Sequence, residues 1–236
     1  MKAFVSCRSS VFTIFLTAVI GLCTSQRLLA QCSSGFPATT ADADCAGGTT
    51  LSSNANINSG QSYGFCGPNT TTYNFSGVNL AGGTLRICGN ANISGNWNSG
   101  TIVVSCGATA NFTSGLTLNN NVGVINYGTI NITGDLVFQN GGNYVYNESS
   151  TSVIKVSGNI TYPQNNGTNA YLKNAGYIKV SGTFNAYEGG YTCFSNGGQM
   201  EVNNFNYYNN CANNTNRFTF SSPAGTAILR ISGEGL

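Results

Sequence analysis

Histidine is absent from all 236 residues, and charge is scarce: Asp, Glu, Lys and Arg together make up 7% of the chain. The first absence excludes imidazole as a general acid or base and removes the commonest nitrogen ligand of zinc. Past residue 30, Arg86, Lys155, Lys173, Lys179, Arg217 and Arg230 oppose Asp42, Asp44, Asp135, Glu148, Glu188, Glu201 and Glu234, six cations against seven anions. That segment is almost neutral and has no basic patch, which argues against nucleic acid and anionic membrane as partners. Solubility has to come from Asn, Ser, Thr and Gly, so a surface of amides and hydroxyls is expected.

Long apolar runs are missing as well. Behind Lys2 and Arg8, residues 11–22 form an uncharged run of 12 residues. That is short of the ~20 needed to cross a bilayer and fits a signal-peptide core. Residues 1–30 therefore read as a secretion signal, cleaved after Ser25 or Ala30. The protein is expected to be secreted, extracellular or held at a cell surface, with no membrane span after cleavage. A short membrane anchor is the competing reading, and no second apolar run or flanking basic cluster supports it. Leu22 and Gln31 stand where a lipid-modified Cys23 or Cys32 would require a small residue.

Of nine Cys, two fall within the signal, leaving Cys32, Cys45, Cys66, Cys88, Cys106, Cys193 and Cys211. In an exported chain disulfides are the default for these seven. A zinc site is disfavoured by the lack of His and of any C-x-x-C pair, and no cofactor is implied.

What the chain does have is a repeated phrase. An apolar residue, then Ser or Thr, then Gly ends at Gly77, Gly95, Gly134, Gly158, Gly182 and Gly233, with near-copies ending at Gly115 and Asn204. At the last of these Asn replaces Gly, a swap compatible with a left-handed backbone. Successive marks lie 18, 20, 19, 24, 24, 22 and 29 residues apart. Around them apolar residues alternate, as in Ile130, Ile132, Leu136 and Phe138, or Ile154, Val156, Ile160 and Tyr162. A period of two means strands with one buried face. A second Gly falls six residues before three of the marks, in "NYG" (Gly128), "NAG" (Gly176) and "NGG" (Gly198).

A unit of about 20 residues cannot bury its own apolar face, whereas stacked units bury a continuous core. The expected fold is all-β: a right-handed parallel β-helix of about eight coils over 65–236, preceded by a capping or irregular segment at 31–64. The hand follows the preference of parallel crossovers. An antiparallel sandwich also uses short strands and Gly-rich turns, but gives no reason for the phrase to recur in phase.

These motifs, the "I/V-S/T-G" phrase, the "N-x-G" turns and the Asn-rich surface, make the chain resemble bacterial secreted parallel β-helix proteins of the adhesin-like type. The resemblance covers about 170 of 236 residues. It implies architecture more than activity, because the same solenoid hosts polysaccharide lyases, hydrolases and non-enzymatic adhesins.

In such a stack, "FCG", "ICG" and "SCG" place Cys66, Cys88 and Cys106 before Gly in three consecutive coils. Cys66 with Cys88, or Cys88 with Cys106, then lie within disulfide reach; a ladder of buried thiols is the alternative. Cys193 and Cys211 are expected to close a late coil, and Cys32 and Cys45 to pin the N-terminal segment. One Cys is left by parity.

The chain holds 34 Asn, with sequons at Asn69, Asn74, Asn92, Asn111, Asn131, Asn147, Asn159, Asn166 and Asn213. Because the sequons arise from the repeat, stacked amides bonded from coil to coil are the preferred reading over glycosylation. Aromatic residues thicken from Tyr171 onward. Tyr187, Tyr191, Tyr207 and Tyr208 fall out of phase with the repeat and are the candidate ligand-binding residues, suited to sugar rings; packing of loops is the alternative.

Catalysis is not expected. Glycoside hydrolysis needs two converging carboxylates, and Asp135 and Glu201 should lie three coils apart, ~14 Å. A secreted, non-catalytic solenoid in adhesion, surface coating or extracellular matrix is the leading expectation. A carbohydrate-binding module is the alternative, and a degenerate polysaccharide-degrading enzyme a weaker one. Partners would be extracellular glycans or surface proteins. "AILRISGEGL" offers no cap to the last strand edge, so the expectation is either the front of a longer protein or end-to-end self-association with another subunit. Ice binding by a flat Thr and Asn face is disfavoured, since outward positions mix Lys, Ser, Asn and Thr without a regular Thr ladder.

Overall fold

Alternating apolar and small polar residues build short strands, and tight turns wind these strands into a three-sided parallel β-solenoid. The computed structural model describes residues 49–164, 169–208, 218–221 and 227–233. Nineteen strands lie among them, paired in parallel, and no helix occurs among the described residues. Residues 1–30, Cys32, Cys45 and Cys211 lie outside the described residues.

Each coil contributes one strand to each of three sheets. Sheet 1 stacks 72–75, 90–93, 109–112, 129–132, 153–156, 177–180, 199–202 and 228–231. Sheet 2 stacks 56–58, 79–82, 96–99, 116–118, 136–138, 160–161, 183–186 and 204–207. Sheet 3 begins with 49–50 and 62–65 and runs through 84–87, 100–104, 122–126, 144–147, 170–174 and 190–195 to 218–221. Seven complete turns result, against the eight expected. Among the described residues pairing begins at Thr49, so strands within 49–64 already join the solenoid.

The repeat marks form the corner between sheets 1 and 2, which two or three residues cross, or one at 202–204. Two physical demands produce glycine there. Gly77, Gly115 and Gly134 hold positive φ, the region L-residues avoid; Gly95 does not, but a Cβ on it would lie 1.8 Å from the Val78 carbonyl oxygen. Asn204 is neither case. It is an extended strand residue paired with Thr183, and Asn203 is the residue at the corner, donated to by Gly233 N. Length variation collects instead at the corner between sheets 2 and 3. There the connection lengthens from 82–84 to 138–144, 161–170 and 207–218.

Inward positions of all three sheets form one core. Ile130, Ile154, Ile178 and Met200 stack in one column of sheet 1, and Phe112, Ile132, Val156, Val180 and Val202 in the next, all at most 3% exposed. Each such residue contributes ~1.5–3 kcal/mol of burial. Trp97 meets Phe112 edge to face at 5.5 Å between centroids. Tyr162 is also inward; its hydroxyl pairs with Thr192 Oγ1 at 2.7 Å and donates to the Tyr191 carbonyl at 3.2 Å, so a buried phenol is satisfied.

Sheet 3 departs from simple alternation. In one outward column Val103, Ile125, Tyr146 and Cys193 are 0–1% exposed, with Arg86 and Lys173 at the same position, so the outer side of this sheet is largely buried too. Its inward column carries polar residues. Asn126, Asn147 and Asn174, all fully buried, pass hydrogen bonds from coil to coil, Nδ2 to Oδ1, at 2.8 and 2.9 Å. Asn126 Oδ1 and Asn174 Oδ1 also accept from Gly128 N and Gly176 N at 3.1 Å, closing the "N-x-G" turns. The "NGG" turn differs: Phe194 holds the ladder position and Asn196 sits in a left-handed conformation.

Candidate functional site

Sheet 1 displays the most regular outer surface. Its strands keep a single register from level to level, so residue pairs two apart in sequence form straight columns. One column reads Asn74, Asn92, Asn111, Asn131, then Lys155, Lys179, Glu201, Arg230. The four asparagines are linked Nδ2 to Oδ1 at 2.8, 2.9 and 2.8 Å. All four head sequons, and each amide is committed to its neighbours, as the stacking reading expected.

The charged half of that column borders a groove of ≈ 700 Å³ lined by Lys179, Ser181, Glu201, Asn203, Arg230 and Ser232. Glu201 is its electrostatic centre. It accepts from the Tyr177 hydroxyl at 2.7 Å and from Arg230 Nη1 at 2.9 Å. These two bonds, with the Arg230 and Lys179 charges, hold the Glu201 carboxyl below its ordinary range. The Tyr177 phenol moves the other way, raised by burial and by its bond to the carboxylate. At this surface the ion pair itself is worth little.

A second candidate surface lies on sheet 3. Tyr144, Tyr171 and Tyr191 occupy one position at successive levels. Tyr171 and Tyr191 stack at 5.4 Å with planes 17° apart. Beside them the Lys173 ammonium bonds both Glu148 oxygens at 3.1 Å and lies 5.7 Å from the Tyr146 ring centre. Burial, then neighbouring Tyr144, push the Tyr146 phenol far above its ordinary range; burial raises Tyr171 too, with Tyr191 adding to it.

The four tyrosines singled out from sequence do not form one platform. Tyr191 belongs to sheet 3. Tyr187 and Tyr208 stack on each other at 4.6 Å and 26° just past the ends of sheet 2 strands. Tyr207 continues the inward column of Ala186, and is 42% exposed near the end of the described stack; it lies parallel to Phe205 at 6.2 Å. Sequence reasoning passed over Tyr144 and Tyr146, and counted Tyr171 in the aromatic-rich stretch without naming it a ligand-binding candidate. Aligning "YVYN" with "YLKN" would have found them.

The cysteine column is shorter than expected. Phe65, Ile87 and Val104 share one register position, so Cys66 and Cys88 are followed by Ser105, and Cys106 falls one residue late. Cys88 Sγ accordingly lies 3.2 Å from Ser105 Oγ. Cys193 is fully buried in the outer column of sheet 3.

Fold and surfaces together define a parallel β-solenoid with amide-lined walls. Comparison with known protein families, with curated proteins and with solved structures found no match.

Proposed function

We propose that the protein is a secreted, non-catalytic β-solenoid acting in adhesion, cell-surface coating or extracellular matrix. The observation that carries this reading is the engagement of three carboxylates of the coils. Asp135 accepts from the backbone and amide of Asn159 at 2.7 and 3.2 Å, Glu148 pairs with Lys173, and Glu201 is held by Tyr177 and Arg230. Asp135 follows the strand of Asn131, and Glu201 lies three levels along that column, ~14 Å away. A glycosidase pair needs its carboxyls within about 5–10 Å. Export would place the cysteines in an oxidising compartment, where disulfides are the default.

The test is retention of cells or extracellular polymer on surfaces coated with the purified protein, run beside a polysaccharide-degradation assay. Adhesion without product release supports the reading. Reducing-end release that disappears in Asp135→Asn or Glu201→Gln overturns it.

Carbohydrate binding is the second reading, favoured by the stacked pairs Tyr171–Tyr191 and Tyr187–Tyr208. Tyrosine faces beside amides suit the apolar faces of sugar rings. Glycan-array binding that survives alanine at Tyr187, Tyr191, Tyr207 and Tyr208 would remove it.

A further inference from the structure

We propose that the outer face of the first four levels of sheet 1 is an ice-binding surface. The argument begins with register. Strands 72–75, 90–93, 109–112 and 129–132 align without a shift, whereas sheet 2 carries register breaks at Asn58 and between Leu80 and Ala81. In sheet 1 the residue two before each column asparagine also forms a column: Thr72, Asn90, Thr109, Thr129. Every level thus presents Thr or Asn, then Asn, pointing away from the core.

Ice is a ligand that cannot adapt. Its surface is a rigid, uncharged lattice of donors and acceptors, so a complementary protein face must be flat, stiff, neutral and periodic in two directions. Parallel strands set one period at about 4.8 Å, and residues two apart along a strand set the other at about 6.6 Å. A grid of that size is on the scale of the oxygen repeat of hexagonal ice. Stiffness comes from the amide chain: each inner asparagine gives one N–H to the level before and accepts one from the level after. The second N–H and a lone pair stay free for water. Preorganisation of this kind removes the ordering cost of binding. The threonines add a methyl group beside each hydroxyl, which orders water without holding a charged hydration shell.

The grid ends where its chemistry changes. At the fifth level Val153 and Lys155 replace Thr and Asn, and Lys155 is exposed. No aromatic residue occupies the eight outward positions of the first four levels, so the face lacks the stacking platform that a crystalline polysaccharide would use. This inference is independent of the adhesive reading, which rests on other groups.

The experiment grows ice slowly in a solution of the full chain and measures uptake into the ice together with the gap between freezing and melting points. The wild-type protein should enter the ice and open that gap. A double variant, Thr109→Tyr with Thr129→Tyr, should be excluded and lose the gap, while Thr117→Tyr, an outward residue of sheet 2, should behave as wild type. Thr129→Lys is a second variant with the same expected loss, a residue type this wall already carries at Lys155. Matching circular dichroism certifies folding. Exclusion of the wild type from ice, or unchanged uptake by folded variants, overturns the proposal. Retention on crystalline cellulose or chitin that Thr109→Tyr and Thr129→Tyr abolish, without uptake into ice, overturns it in favour of a polysaccharide.

Discussion

Asn126 and Asn147, one coil apart and both fully buried, share a hydrogen bond of 2.8 Å from Nδ2 to Oδ1. Asn147 passes the pattern on to Asn174 and also donates to the carbonyls of Ser152 and Tyr177 at 3.3 Å. The ladder therefore ties three coils to the turns that follow them. Amides inside an apolar stack are tolerated only because both ends of each are bonded.

Replacing Asn147 by Ala should lower the unfolding free energy by about 1–3 kcal/mol, because neighbouring polar atoms lose partners where water does not reach. Asn111→Ala on the outer wall removes similar bonds at a partly exposed position and should cost less. Urea unfolding of the two variants, measured side by side, checks the order.

Gly190 stands against the ring of Tyr162: a Cβ there would lie 1.9 Å from Cδ2. Because the Tyr162 hydroxyl is anchored to Thr192 and Tyr191, the ring has nowhere to yield. Gly190→Ala should therefore cost about 1–3 kcal/mol by overpacking. Thermal melts of that variant should fall below those of Gly60→Ala, whose Cβ meets nothing within 4 Å and carries only the strain of its positive φ.

Alkali should unfold the protein. Burial raises the Tyr162 and Tyr146 phenols above their ordinary range. In the unfolded chain they ionise near pH ~10, so above that pH the unfolded state releases protons that the folded state retains, and stability falls. Below it the contribution is complete. A pH series of melting temperatures should drop past the unfolded phenol value, and Tyr162→Phe should flatten part of the drop.

Acid should act on the last coils first. The Glu201 carboxyl is depressed by Tyr177 and Arg230, so its contribution is present above the ordinary glutamate value of about 4.3 and is lost as pH falls toward its lower folded value. Protection factors from hydrogen exchange at 199–202 and 228–231 should fall on acidification, and Arg230→Ala should reduce that pH dependence.

The stack was legible because sheet 1 and the corner after it obey one rule: an inward residue, a small polar one, an inward residue, then the mark. Ile130, Ile132, Gly134 and Leu136 all sit where that rule puts them. Sheet 3 was not legible, since Val122 to Asn126 is buried at every position and shows no period. The buried ladder escaped for a related reason. Asn126 and Asn174 are turn residues as well as core residues, and sequence alone reveals only the first role. The outer grid was obscured because the Thr-x-Asn pairs are diluted by the turns of two other sheets, and emerge only when strands one coil apart are superposed. Cys106 misled through one extra residue, Ser105, that occupies the sulfur column in its place.

Variation in coil length gathers at the corner between sheets 2 and 3, while the corner at the repeat marks stays short. An added residue at the tolerant corner is absorbed as a larger loop, and the phase of every column downstream survives. Between sheets 1 and 2 the crossing varies only from one to three residues, held short by glycines with positive φ or close backbone contacts. The chain therefore behaves like a bound book: pages can be widened at the free margin, while the spine keeps its stitch length, and a lineage can remodel one edge without rewriting the face opposite.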